Sequence, residues 1–132
     1  MSAGGAGGAG WLAALGIALG GGVGAAARYA VDQAVPVPLR ERFPWGILVV
    51  NLTGSLLMGV LVGLALGEPW LAVLATGVLG GYTTFSTASL DTARMVLERR
   101  PIGALLNGIG VLAAGVGLAL LGILLGDALS RL

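Results

Sequence analysis

Residues 77–91 read GVLGGYTTFSTASLD, an uncharged run in which two glycines are followed by a cluster of hydroxyl and aromatic side chains before the first carboxylate, Asp91. Two glycines cost a helix about 2 kcal/mol relative to alanines, and threonine adds a further penalty. The run lies in a stretch, residues 69–90, with no charge at all. A helix that fails in such a setting must turn its freed carbonyls toward protein, water or an ion. The sequence therefore predicts an interrupted membrane helix, broken at Gly80-Gly81. Freed carbonyls are hard oxygen ligands, suited to an alkali cation.

The rest of the chain fits that setting. Of 132 residues, 57% are apolar and 10% charged, with a mean hydropathy of +0.99, whereas a soluble domain carries about a quarter charged residues. Charges are absent from residues 1–27, 43–67, 69–90 and 101–126. About 20 apolar residues cross a hydrocarbon core of roughly 30 Å. Four transmembrane helices are predicted, over 11–31, 45–67, 69–90 and 102–126, as one domain of residues 11–127 after a flexible Gly-rich tail at 1–10. That start lacks a basic segment ahead of the apolar run, which favours a retained helix over a cleaved signal peptide. Pro36, Pro38 and Pro44 punctuate the first loop, while Pro69 and Pro101 open the third and fourth spans.

Function classes fall away with the missing side chains. There is no Cys, His or Lys, which removes thiol and imidazole chemistry, Schiff bases and zinc sites built from Cys or His. No nucleophile is paired with an activating base, so the chain reads as a non-enzyme. A net charge of +1 gives no basic surface for nucleic acid. Proton-coupled multidrug exporters of this size need a carboxylate within the membrane, and no predicted span holds one.

Small residues recur at four-residue spacing, Gly16, Gly20 and Gly24 in the first span and Gly59, Gly63 and Gly67 in the second. In lipid this spacing lets backbones approach closely. Asn51 and Ser55 share a helix face, and Asn107 lies in the fourth span. A buried amide in hydrocarbon needs a partner. Interhelical bonding worth about 1 kcal/mol and a functional role account for each Asn equally well. Ser86, Thr87 and the positive edge of the Phe85 ring describe a surface for a small anion. Arg28, at the end of the first span, adds positive potential, or simply snorkels to the interface.

These residues resemble the Fluc (CrcB) family of fluoride channels from about residue 15 to 126, through GGGVGAAARY (20–29), WGILVVNLTGS (45–55), GVLGGYTTFSTASLD (77–91) and IGALLNGIG (102–110). The resemblance implies an all-α, four-helix subunit in an antiparallel dimer, with fluoride pores and a structural sodium ion at its centre. It assigns the sodium to backbone carbonyls matching Gly80 and Thr83. It assigns the pore to Asn51, Phe85, Ser86, Thr87 and Asn107, with Arg28 as electrostatic support, and the role to passive fluoride export across the cell membrane. Two positions depart from the family pattern: Ala88 replaces a second Phe, and Val111 replaces a polar residue one turn after Asn107.

With loops one and three on one side, that side holds Arg28, Arg40, Arg42, Arg94, Arg99 and Arg100, and the other only Arg131. Such a bias predicts a fixed orientation with those loops cytoplasmic and both termini outside. A self-paired antiparallel dimer would show almost none. A heterodimer with a related subunit, in which this chain conducts weakly or not at all, is the alternative expectation.

Overall fold

A computed structural model describes the backbone of residues 3–132 and side chains from Gly10 onward. Helix α1 spans Ala3–Ala34 and α2 is a short turn of helix, Val37–Arg42. Helix α3 spans Trp45–Gly63. Helix α4 is π-wound over Ala72–Leu79 and α-helical over Gly80–Tyr82, and α5 spans Ser86–Leu97. The last helix, α6, is α-helical over Pro101–Leu105, π-wound over Leu106–Gly110 and α-helical again over Val111–Ser130.

Among the described residues, three helices are long and apolar enough to cross a bilayer: Gly10–Ala34, Trp45–Gly63 and Pro101–Ser130. The protein is a multi-pass, all-helical membrane protein. The third predicted span, expected to be interrupted, is two half-length helices, α4 and α5, on either side of Thr83, Thr84 and Phe85. Other boundaries also shift. Helix α1 runs through Arg28 and Asp32 to Ala34, stopping just before Pro36, and its helical backbone includes the Gly-rich residues 3–10. Helix α3 stops at Gly63, ahead of the predicted 67, with Ala65 left-handed at φ 54°.

The break lies two residues beyond the glycine pair expected to cause it. Gly80 is helical (φ −62°, ψ −39°), and the chain first turns extended at Thr83 (φ −80°, ψ 157°). The reason is close packing. A Cβ on Gly81 would meet the Gly21 carbonyl of α1, and one on Gly24 would meet the Val78 carbonyl of α4. The glycines thus bring two backbones together, and the threonines that follow take up the departure from helix.

Two close-packed helix pairs result. Besides α1 on α4, α3 lies on α6 through Gly59 and Gly63 opposite Gly122 and Gly126. An added Cβ at Gly59 would stand 3.0 Å from the Gly122 Cα, and one at Gly126 would stand 3.0 Å from the Gly63 Cα. Gly67, expected in the same seam, has open space around it. Between the pairs sits a small core: Val50 is fully buried, with Ile47, Leu79, Met95 and Ala104 nearly so. Large apolar side chains elsewhere face outward, Leu19, Val23, Leu112 and Leu124 among them, as a lipid-facing surface requires.

Helix α5 ends in a tight reversal. Arg99 adopts φ 57°, its N–H donates to the Val96 carbonyl at 3.1 Å, and the Arg100 N–H donates to the Met95 carbonyl at 2.8 Å. This paired closure satisfies the last carbonyls of the helix, and Pro101 starts α6 directly after it. At the start of α4, the Glu68 carboxylate accepts the Ala72 N–H at 3.2 Å.

The glycine seam makes a direct prediction. Gly122→Val, which drives a branched side chain into the α3 backbone, will lower stability by about 1–3 kcal/mol or more, read as a reduced thermal unfolding midpoint in detergent. Gly67→Val, in open space, will leave the midpoint within experimental scatter.

Candidate functional site

The break is held by one side chain. Asn51 of α3 donates its Nδ2–H to the Thr84 carbonyl at 2.9 Å, and its Oδ1 accepts the Thr84 N–H at 2.9 Å. A carboxamide and a peptide group are complementary, so the two bonds lie side by side and fix the orientation of the amide. Because the Thr84 N–H points to Asn51, the Gly80 carbonyl loses its usual donor four residues on. The Ser55 hydroxyl donates to the Asn51 carbonyl at 2.8 Å, bonding back along α3.

Thr83 closes α4 twice over, its backbone N–H and its hydroxyl both donating to the Leu79 carbonyl at 2.9 Å. Its own carbonyl, turned out by the extended backbone, takes a weak hydrogen bond from Arg28 Nη1 at 3.4 Å. Arg28 therefore reaches the break. It is half-buried and is not the rim charge that its sequence position suggested.

On the far side of the break Thr84 starts α5. Its buried Oγ1 accepts the Thr87 N–H at 3.2 Å and donates to Thr87 Oγ1 at 3.2 Å, while the Ser89 N–H donates to the Phe85 carbonyl at 2.9 Å. The hydroxyl, one residue ahead of the N-cap Phe85, satisfies a first-turn donor as a capping side chain does. The start of a 12-residue helix places the positive end of its dipole at the break. Phe85, Ser86 and Thr87 are exposed there, the Phe85 ring 87% so.

Asn107 belongs to a separate cluster. It is 4% exposed, in the π-wound turn of α6. Its Nδ2 donates to Thr92 Oγ1 at 2.9 Å and to the Ala88 carbonyl at 3.2 Å, and the Thr92 hydroxyl donates to the same carbonyl at 2.9 Å. These bonds to two neighbouring acceptors tie α6 to α5.

The structure thus gathers Asn51, Gly80, Thr83 and Arg28 at the break, with Phe85, Ser86 and Thr87 on the exposed first turn of α5. Asn107 sits further along α5, against Ala88 and Thr92. Thr84 and Thr92 were missed by the sequence reading. Thr84 carried a signal, since a hydroxyl residue three before another helical position is cap spacing. Thr92 carried only its place four residues after Ala88, on the same face.

Irregular backbone at membrane depth persists only where protein buries it or where it lines a water-filled path, as in channels and transporters. Comparison narrows the class. The family model for CrcB-like protein, Camphor Resistance (CrcB), matches residues 15–123, and the chain belongs to that family. It is 42% identical over 119 residues to fluoride-specific ion channel FluC 1 of Leifsonia xyli subsp. xyli, covering 87% of each chain. It is 43% identical over 108 residues to fluoride-specific ion channel FluC 2 of Mycobacterium bovis, covering 82% of this chain and 86% of the relative. With fluoride-specific ion channel FluC of Coxiella burnetii identity is 40% over 116 residues, 83% of this chain and 94% of the relative.

The cap gives a measurable effect. Thr84→Ala will cost about 1 kcal/mol of stability, and Thr84→Ser, which keeps the accepting oxygen, will recover most of it; thermal unfolding in detergent compares the three proteins.

Proposed function

We propose that this chain is a subunit of a fluoride-selective channel that lets fluoride leave the cell down its gradient. The observation carrying this reading is the interruption at Thr83–Phe85, in a chain of the CrcB family whose relatives are named fluoride-specific channels. Stripping water from a small anion costs on the order of tens of kcal/mol in an uncompensating medium. The first turn of α5 offers substitutes: the Ser86 and Thr87 hydroxyls, the edge of the Phe85 ring, and the helix dipole. Asn51 spends one amide hydrogen on Thr84 and keeps a second for an anion. Arg28 raises the potential nearby without closing the path with a fixed carboxylate.

In this reading α4 and α5 together make a fourth crossing, broken at mid-membrane, and two chains pack antiparallel. The outward Phe85 ring is unpacked in a single chain, which supports a partner or lipid beside it. The break also fits a structural sodium ion. The Gly80 carbonyl, relieved of its helical donor, and the Thr83 carbonyl, turned outward, are hard oxygen ligands of the right kind. Two oxygens from each of two chains would hold the ion, which would join the subunits by its charge. Arg28 shares the Thr83 carbonyl and would have to yield there.

A second reading has its own observations. With Arg28 at the break, one side of the membrane still holds Arg40, Arg42, Arg94, Arg99 and Arg100 against Arg131 on the other. This favours a fixed orientation, hence an oppositely oriented relative as partner. Ala88 and Val111 lack groups that would face the anion. A weakly conducting subunit of a heterodimer accommodates both observations.

Fluoride and chloride efflux from liposomes, followed with ion-selective electrodes, tests both readings. Liposomes holding this chain will release fluoride and retain chloride, faster when a related subunit is co-reconstituted; release of neither ion in either preparation overturns the channel reading. Ala88→Phe will raise the fluoride rate, and an unchanged rate removes the missing ring as the limit on conduction.

A further inference from the structure

A cavity of about 320 Å³ opens between α2, the residues leading into α3, and α5. It is separate from the break and plays no part in the channel reading. Four guanidinium groups line it, those of Arg40, Arg42, Arg94 and Arg100. Three carboxylates, Glu41, Asp91 and Glu98, also reach it. Glu98 is engaged with Arg100 at 3.6 Å, and Arg100 donates to the Arg42 carbonyl as well. Among the described residues, none of Arg40, Arg42 and Arg94 forms an ion pair.

One atom singles the cavity out. Arg40 Nε is buried and has no hydrogen-bond partner among the described residues. A charged group left short of partners out of water is costly, and an anion in the cavity beside the Arg40 guanidinium offsets that cost. Guanidinium forks match the oxygens of a phosphate, often with two parallel bonds.

The surroundings say where that phosphate comes from. Phe43 lines the cavity and packs on Trp45 with ring centroids 5.0 Å apart. Trp45 is the first residue of α3 and is half exposed. Aromatic side chains at the end of a spanning helix mark the headgroup level of a bilayer. Basic pockets at that level receive anionic lipid headgroups. Val37 and Met95 add an apolar edge to the opening.

We propose that this cavity binds the phosphate oxyanion of an anionic phospholipid headgroup, with Arg40 as its central donor and Arg42 and Arg94 beside it. The bound lipid ties α2 to α5 from the membrane side. Arg131, at the far end of α6 some 30 residues from Pro101 and so about 45 Å away, lies outside the site.

The test uses the full chain in neutral detergent, titrated with dihexanoyl phosphatidylglycerol, dihexanoyl phosphatidylcholine or sodium phosphate while the thermal unfolding midpoint is followed. Phosphatidylglycerol will raise the midpoint saturably and phosphatidylcholine will not. Arg40→Gln will weaken the effect about tenfold, as loss of a charge-assisted bond predicts, and Arg131→Gln will leave it intact. Arg94→Gln serves the same purpose should Arg40→Gln not fold. An equal shift with inorganic phosphate keeps the oxyanion site and makes free phosphate its source. Equal shifts with the two lipids, or an undiminished shift in the Arg40 and Arg94 variants, would overturn the proposal.

Discussion

A backbone that leaves the helical path inside a bilayer has no water to bond with, and each unpaired peptide group there costs several kcal/mol. The two hydrogen bonds between Asn51 and the Thr84 peptide group answer that constraint. They turn an otherwise forbidden break into a fixed piece of structure. The other features at the break follow from it. With Thr84 N–H taken by α3, the Gly80 carbonyl is released, Thr83 can extend, and the Thr84 hydroxyl is left in position to start a new helix. One amide thus sets both the end of α4 and the start of α5.

The two helix pairs serve the same end. Glycine contacts bring α1 within backbone distance of α4, and α3 within backbone distance of α6. Close approach is needed because lipid supplies no hydrophobic force to press helices together, so dispersion between backbones must act at short range. Asn51 reaches Thr84 where Gly54, three residues on in α3, lets the Thr83 side chain come against the helix. Asn107 closes the other side by tying α6 to the Ala88 carbonyl and the Thr92 hydroxyl of α5.

Much of the fold was legible in where charges are missing. The gaps in charge locate α1, α3 and α6 to within a few residues at most ends, because a spanning helix is bounded by the cost of burying ions. They miss the start of α1, which is helical from Ala3, while within the predicted span Arg28 finds the Thr83 carbonyl. The site was legible as a set of polar residues at depth, but their pairing was not. Asn51 bonds to a peptide group, and a backbone partner leaves no mark in the side-chain sequence. Helix propensity alone does not show the role of Gly81, which contact with α1 decides. Arg28, Asn51 and Thr83 meet through tertiary structure. No spacing rule joins positions so far apart.

The seam between α3 and α6 joins positions near 60 to positions near 124, so its two halves are made at different times. While the chain is being threaded into the membrane, α3 waits through the synthesis of everything from the first hairpin to the last turn of the molecule before its glycine face is covered. The Asn51–Thr84 bonds span only 33 residues and are available much sooner. The broken segment is therefore in a position to acquire its shape first, as a template against which the final helix closes. A chain shortened within its last 15 residues would keep the residues of the break yet leave α3 open along its most closely packed face.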